Sequence, residues 1–187
     1  MTTVGTGPRD RLRFMNITLQ LNGEERTLSG DGSEPLLDVL RRHGYTGPKR
    51  GCRSGKCGFC TVSIDGSVEK ACLRPLESVE GATVETIAAL GTQDDLHPVQ
   101  EAFIDHSALQ CGFCIPGMIM RAKGLLDENP DPSRAEIRDA LSDNLCRCTG
   151  YEKIIDAVED AAGNLEPEVA ADGGRSLSDL EPCGVDP

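Results

Sequence analysis

GCRSGKCGFCTVSIDGSVEKAC, residues 51–72, decides the architecture of the chain. It gathers Cys52, Cys57 and Cys60 in one glycine-rich loop and returns a fourth cysteine, Cys72, after a turn signal at Asp65-Gly66. Four thiolates make a metal ligand set, for zinc or for an iron–sulfur cluster. Zinc sites often combine two short C-x2-C knuckles, whereas three ligands in one C-x4-C-x2-C loop with a distant fourth favour iron. Gly51, Gly55 and Gly58 let backbone amides approach sulfur where a Cβ would obstruct. Arg53 and Lys56 place positive charge beside what would be an anionic cluster.

Upstream of this loop, strands over Phe14–Leu21 and Glu25–Leu28 flank Asn22-Gly23, a strong two-residue hairpin signal. PLLDVLRRHG, residues 35–44, reads as a short helix stopped by Gly44. Downstream, Thr61–Ile64 and Val68–Leu73 form a second hairpin around Asp65-Gly66, and Thr83–Ile87 a last strand. The result is a small mixed sheet with one helix, in the order of a plant-ferredoxin-like β-grasp.

After Gly91 the pattern turns helical. Pro98 opens a helix to about Leu109, with His97 placed to cap it, and Pro116 opens another that stops before Pro130. Ser133 with Glu136, and Thr149 with Glu152, read as capping boxes of two more helices. Their apolar positions are Ile137, Ala140, Leu141 and Leu145, then Ile154, Ile155, Val158 and Ala162. Four helices with short connections suggest a four-helix bundle. A second cysteine group lies at their joints: Cys111 and Cys114 in QCGFC, and Cys146 and Cys148 in NLCRCTGY. Positions near helix N-termini favour thiolate and an anionic cluster.

The predicted class is therefore α+β, a β-grasp domain followed by an all-α domain. The boundaries read as a tail over 1–12, a first domain over 13–90, a second over 91–165 and an acidic tail over 166–187. Nine cysteines without an export signal read as ligands or reduced thiols in the cytoplasm. The N-terminal MTTVGTGPRDRLRF carries charge but no apolar core, so it is not a secretory signal. A net charge of −12 argues against a nucleic-acid partner, which needs a cationic footprint. No stretch is long or apolar enough for a membrane span. No G-x-G-x-x-G follows a strand, so a Rossmann dinucleotide site is absent. Cys183, in the last segment, reads as an incidental thiol.

Taken together, GCRSGKCGFC, LQCGFCIPGM and NLCRCTGY resemble the small iron–sulfur subunit of the xanthine oxidase family of molybdenum hydroxylases. The resemblance covers about residues 14–163 and all eight ligand cysteines. It implies two [2Fe–2S] clusters, one on Cys52, Cys57, Cys60 and Cys72 and one on Cys111, Cys114, Cys146 and Cys148. It implies an oxidoreductase subunit with no substrate site of its own. A large partner subunit would hold a molybdopterin (dinucleotide) cofactor, with Gln110 and Cys148 lying against the pterin. Electrons would pass from there through the second group, then the first, to a medium FAD-binding subunit or another acceptor.

Overall fold

The computed structural model of the chain describes residues 14–165. The sequence-based tails, and Cys183 with them, lie outside that range. Strand β1 (Phe14–Leu21) pairs antiparallel with β2 (Glu24–Asp31). Ile17, Leu19 and Leu21 alternate with solvent-facing residues and bury one face. The connecting Asn22 and Gly23 both adopt positive φ (52° and 81°), as a type I′ turn requires. Helix α1 (Leu36–Arg42) lays Leu36, Leu37, Val39 and Leu40 against that face.

Strands β3 (Thr61–Ile64) and β4 (Ser67–Lys70) form the second hairpin, turned by Asp65 and Gly66 at φ 49° and 81°. Strand β5 (Thr83–Glu85) pairs parallel with β1 and antiparallel with β3, closing a five-stranded sheet of order β2-β1-β5-β3-β4. The two sheet ends are shorter than the sequence suggested. Strand β4 stops at Lys70, and residues 71–73 turn to bring Cys72 beside Cys60; Ile87–Ala89 is a 3-10 turn, not strand.

The helices are α2 (Pro98–Asp105), α3 (Ile115–Glu128), α4 (Arg134–Leu141) and α5 (Glu152–Asn164). They share a second core built on Phe103, Met118, Ile137, Ile154 and Val158. Helix α2 ends four residues earlier than Leu109, because Ser107 takes φ 48°, which an α-helix cannot contain. Leu109, the predicted end of that helix, and Leu145, predicted as a helical apolar position, are instead exposed in loops. The Ser133–Glu136 capping box forms as predicted. The Thr149–Glu152 box does not. Gly150 and Tyr151 both have positive φ, and the Thr149 hydroxyl accepts from the Tyr151 amide instead of capping α5. Among the described residues no helix is long and apolar enough to cross a membrane.

Helix α3 joins the two cores by packing across β3 and β4. Two glycines a couple of turns apart on α3, Gly117 and Gly124, allow this. A Cβ at Gly117 would run into the Gly58 carbonyl, and one at Gly124 into the Val68 side chain. Alanine is normally better than glycine inside a helix by about 1 kcal/mol. Here Gly124→Ala is expected to destabilise by about 1–3 kcal/mol through overpacking, and Val68→Ala in the same chain to restore the melting temperature. A thermal melt in which Gly124→Ala alone is more stable would refute this packing.

His97 caps α2: its Nδ1 accepts from the Val99 amide at 3.2 Å, and the Gln100 side chain accepts from the His97 amide at 2.9 Å. Burial pushes the imidazole below the usual histidine range, Lys123 adds to this, and Asp127 opposes it. A depressed base stabilises the fold in its neutral form. That contribution is full above the unfolded value of about 6.5 and is lost as pH falls through the folded value. The melting temperature of the wild type should therefore fall more steeply on acidification than that of His97→Asn, which keeps a capping side chain without titrating. Parallel pH profiles would contradict the assignment.

Candidate metal centres

The eight predicted ligand cysteines form two groups, and none is in a disulfide. In the first loop the thiols pair. The Cys52 amide donates to Cys57 Sγ at 3.4 Å, and Cys60 and Cys72 interact through their thiols. The loop also turns amides onto sulfur: Ser54 and Lys56 donate to Cys52 Sγ at 3.4 and 3.3 Å. These groups shape the thiols unequally. Ser54 draws exposed Cys52 down to about 6, whereas burial pushes Cys60 up to about 12.

Glycine makes the loop possible. Gly58 has φ 71°, and a Cβ there would collide with Asn144 and the Asp143 carbonyl; a Cβ at Gly51 would press on Cys57 Sγ and Phe59. Arg53 is not a free cation beside the sulfurs, as the sequence suggested. Arg50 and Arg53 both pair with Asp38, a largely buried carboxylate on α1, and so tie the loop to the helix. A buried ion pair contributes little net stability, but breaking one side leaves a costly charge.

The second group pairs in the same way. Cys111 and Cys148 are exposed, with their sulfurs 3.5 Å apart; Cys114 and Cys146 are buried and in contact through their thiols. Cys114 is the residue preceding α3, so its sulfur sits at the start of that helix. The Thr149 hydroxyl lies 3.1 Å from Cys146 Sγ, and the Thr149 amide donates to it at 3.5 Å. Burial raises the Cys146 thiol, but the Thr149 bonds together with the Cys148 amide and the Cys114 thiol hold it below its ordinary value. Burial raises Cys114 to about 12.

Do these residues fit the implied clusters? Two thiolates on one tetrahedral metal, at about 2.3 Å each, stand about 3.8 Å apart. The Cys111–Cys148 separation of 3.5 Å is close to that. Among the described residues, no three cysteine, histidine or carboxylate groups close on one point as a single ion needs. Paired thiols, facing amides and a neighbouring second pair suit a two-metal cluster in each group. His43 and His106 stand apart, bonded to Ser29 and paired with Asp160.

Gln110 is exposed next to Cys111, in the loop between α2 and α3. Leu109 and Phe113 lie two residues either side of Cys111 and Leu145 precedes Cys146; these three large apolar side chains are each 43–53% exposed. Sequence reasoning missed three structural contributors. Asn144 is fully buried and donates from Nδ2 to the Gly58 carbonyl at 3.1 Å. The Phe59 and Phe113 rings meet edge-on at 5.2 Å. The Tyr151 hydroxyl accepts from the Cys146 amide at 2.7 Å and donates to the Asn144 carbonyl at 3.1 Å. The signal available was the duplicated CGFC at 57–60 and 111–114, whose phenylalanines are the ones that touch.

Two family models match the chain: a "2Fe-2S iron-sulfur cluster binding domain" over residues 19–88 and a "[2Fe-2S] binding domain" over residues 83–159. The nicotine 6-hydroxylase small subunit of Paenarthrobacter nicotinovorans is 45% identical over 166 residues, covering 88% of this chain and 97% of that protein. The aldehyde oxidoreductase of Megalodesulfovibrio gigas is 46% identical over 167 residues, 87% of this chain but only 18% of that longer protein. A solved chain of quinoline 2-oxidoreductase from Pseudomonas putida 86 superimposes with a TM-score of 0.77 at 44% identity. That match covers 81% of this chain and 95% of the other.

Removing the Tyr151 hydroxyl leaves the Cys146 amide and Asn144 carbonyl without their partner. Tyr151→Phe is expected to cost about 1–3 kcal/mol in denaturant unfolding. Unchanged stability would mean that the hydroxyl holds neither group.

Proposed function

The chain belongs to the small [2Fe–2S] subunits of the xanthine oxidase (molybdenum hydroxylase) family, and on that premise we propose that it relays electrons within a heteromeric hydroxylase or dehydrogenase. Its partners are a large subunit carrying the molybdopterin and a medium FAD-binding subunit or another acceptor. We read residues 13–90 as a ferredoxin-like domain and 91–165 as a four-helix-bundle domain, with 1–12 and 166–187 as tails.

The observation that carries this reading is the arrangement of the thiols into two paired groups, one with its Cys111–Cys148 pair exposed. Cys52, Cys57, Cys60 and Cys72 would hold one [2Fe–2S] cluster, and Cys111, Cys114, Cys146 and Cys148 the other. When bound, each cluster supplies one-electron exchange. The residues around it do the rest. The Ser54 and Lys56 amides and the Thr149 hydroxyl and amide spread negative charge away from sulfur, and the buried cores keep water from the inner thiols. The Cys111–Cys148 and Cys114–Cys146 thiol contacts support these four residues as one ligand set.

Exposed Gln110, Cys111 and Cys148, with exposed Leu109 and Phe113 beside Cys111 in the chain, would form the face for the large subunit. Gln110 and the outer edge of Cys148 would meet its pterin there. The chain holds the relay and its partner the substrate chemistry.

Purified complex should give two distinct [2Fe–2S] electron paramagnetic resonance (EPR) signals in equal amounts. Cys148→Ala should abolish the helix-side signal and substrate-driven reduction while the loop-side signal survives. Stoichiometric zinc with no visible chromophore would sink the reading, and persistence of both signals in Cys148→Ala would overturn the ligand assignment.

A further inference from the structure

Two of the eight thiols meet at the surface. Cys111, in the loop between α2 and α3, and Cys148, in the loop before α5, are both exposed, with their sulfurs 3.5 Å apart. Cys114 and Cys146, their neighbours in the chain, are buried. The loop group has no such outer pair, because Cys52 is exposed there while Cys57, Cys60 and Cys72 are buried. Spacing alone would couple Cys111 with Cys114 in C-x2-C, or Cys146 with Cys148 in C-x-C. The fold instead couples the two outer thiols, 37 positions apart in the chain.

We propose that Cys111 and Cys148 are a reversible oxidation site. Before a cluster is seated and the large subunit docks, a low-molecular-weight disulfide converts the pair to an intrachain disulfide that closes the helix-side site to iron. The proposal rests on the reading that Cys111, Cys114, Cys146 and Cys148 hold a [2Fe–2S] cluster. One thiol of the pair attacks the small disulfide, forms a mixed disulfide and releases one small thiol, which takes up the proton. The other protein thiol then attacks the protein-side sulfur, forms the Cys111–Cys148 bond and releases the second small thiol with its proton. Two protein thiols are oxidised by two electrons, and one small disulfide is reduced to two thiols.

A disulfide holds its sulfurs about 2.05 Å apart, so the pair has about 1.5 Å to close. Both segments can supply that movement. Gly112 follows Cys111 at φ 78°, Gly150 lies two residues after Cys148 at φ 74°, and the space where a Cβ would stand is open at each. The inner thiols are tied down. Cys114 immediately precedes α3, while Cys146 is held at its sulfur by Thr149 and at its amide by Tyr151. Cys114 and Cys146 also touch, but exchange requires the reagent to reach a sulfur, and burial denies it access. Once Cys111 and Cys148 are bonded to each other, two of four thiolates are lost and a cluster that needs all four cannot be seated. A reducing thiol restores them.

The test uses the full chain, stripped of iron by a chelator in the presence of dithiothreitol and then exposed to glutathione disulfide. Free thiols are blocked with N-ethylmaleimide and the linkage is mapped by mass spectrometry. Trypsin cuts after Arg147 and so separates Cys146 from Cys148, and fragmentation of the linked peptide tells Cys111 from Cys114. The expected product joins Cys111 to Cys148. Cys114→Ser and Cys146→Ser should keep that link, whereas Cys148→Ser should stop at glutathione on Cys111. A Cys111–Cys114 link, a Cys146–Cys148 link or a scrambled mixture would overturn the site. The oxidised chain is then supplied with iron and sulfide: it should gain the loop-side EPR signal alone, and both signals after dithiothreitol. Two signals without reduction would overturn the gate. A reduced chain that loads no helix-side cluster would instead overturn the functional reading, whatever the disulfide map shows.

Discussion

Backbone must lie directly on backbone where α3 and the loop before α5 cross the first cysteine loop, and the rest of the molecule is arranged around that contact. Gly58 needs positive φ and no Cβ, Gly117 needs no Cβ, and Asn144 fills the remaining space with a donor for the Gly58 carbonyl. Cys57 then gives its carbonyl to Leu145, so the loop cannot shift without disturbing the segment that carries Cys146. Two small cores, each thin in aromatic residues, thereby become one packed body. Small cores of this kind usually need staples, and the seam places both candidate staples at the junction.

The ion pairs serve the same geometry from outside. Asp38 on α1 holds Arg50 and Arg53 on the outer flank of the loop, and Lys70 on β4 reaches Asp143 across the seam at 3.0 Å. The Lys70–Asp143 pair is partly exposed, and such pairs are individually weak. Its location matters more than its strength, because it joins the sheet to the turn that carries Asn144. Arg134, by contrast, links α4 to Glu152, Asp156 and Glu159 of α5 and so ties one helix to another.

Local features of the sequence announced themselves because local chemistry dictates them. Asn22-Gly23 and Asp65-Gly66 need positive φ at both residues, and few other pairs supply it. The cysteine loop was legible through its spacing, and the Ser133 box through its reciprocal bonds. The failures were those of longer range. Thr149 has the right spacing for a cap, but the nearby sulfur of Cys146 claims its hydroxyl and the chain turns through Gly150 and Tyr151 instead. The positive charge of Arg53 was visible, yet its partner lies fifteen residues back on α1. Asn144 had no signal at all, since its partner is 86 residues away and only the folded seam brings them together.

Burial gives the two sites an order. Cys111 and Cys148 are exposed, Cys114 and Cys146 buried; Cys57, Cys60 and Cys72 are buried again, and Cys52 is exposed. Read along the seam, the thiols run from surface to interior and back to surface, with the Leu145–Cys57 hydrogen bond at the midpoint. A storage protein would have no need to expose both ends, and a single-site carrier would need only one. Exposed Leu109 and Phe113 neighbour Cys111 in the chain, whereas exposed Ser54 and Lys56 follow Cys52, with Lys56 the charge there that Asp38 does not take up. The two ends therefore present chemically different surfaces. An apolar rim suits a permanent interface whose core excludes water, and a polar, cationic rim suits a contact steered by charge.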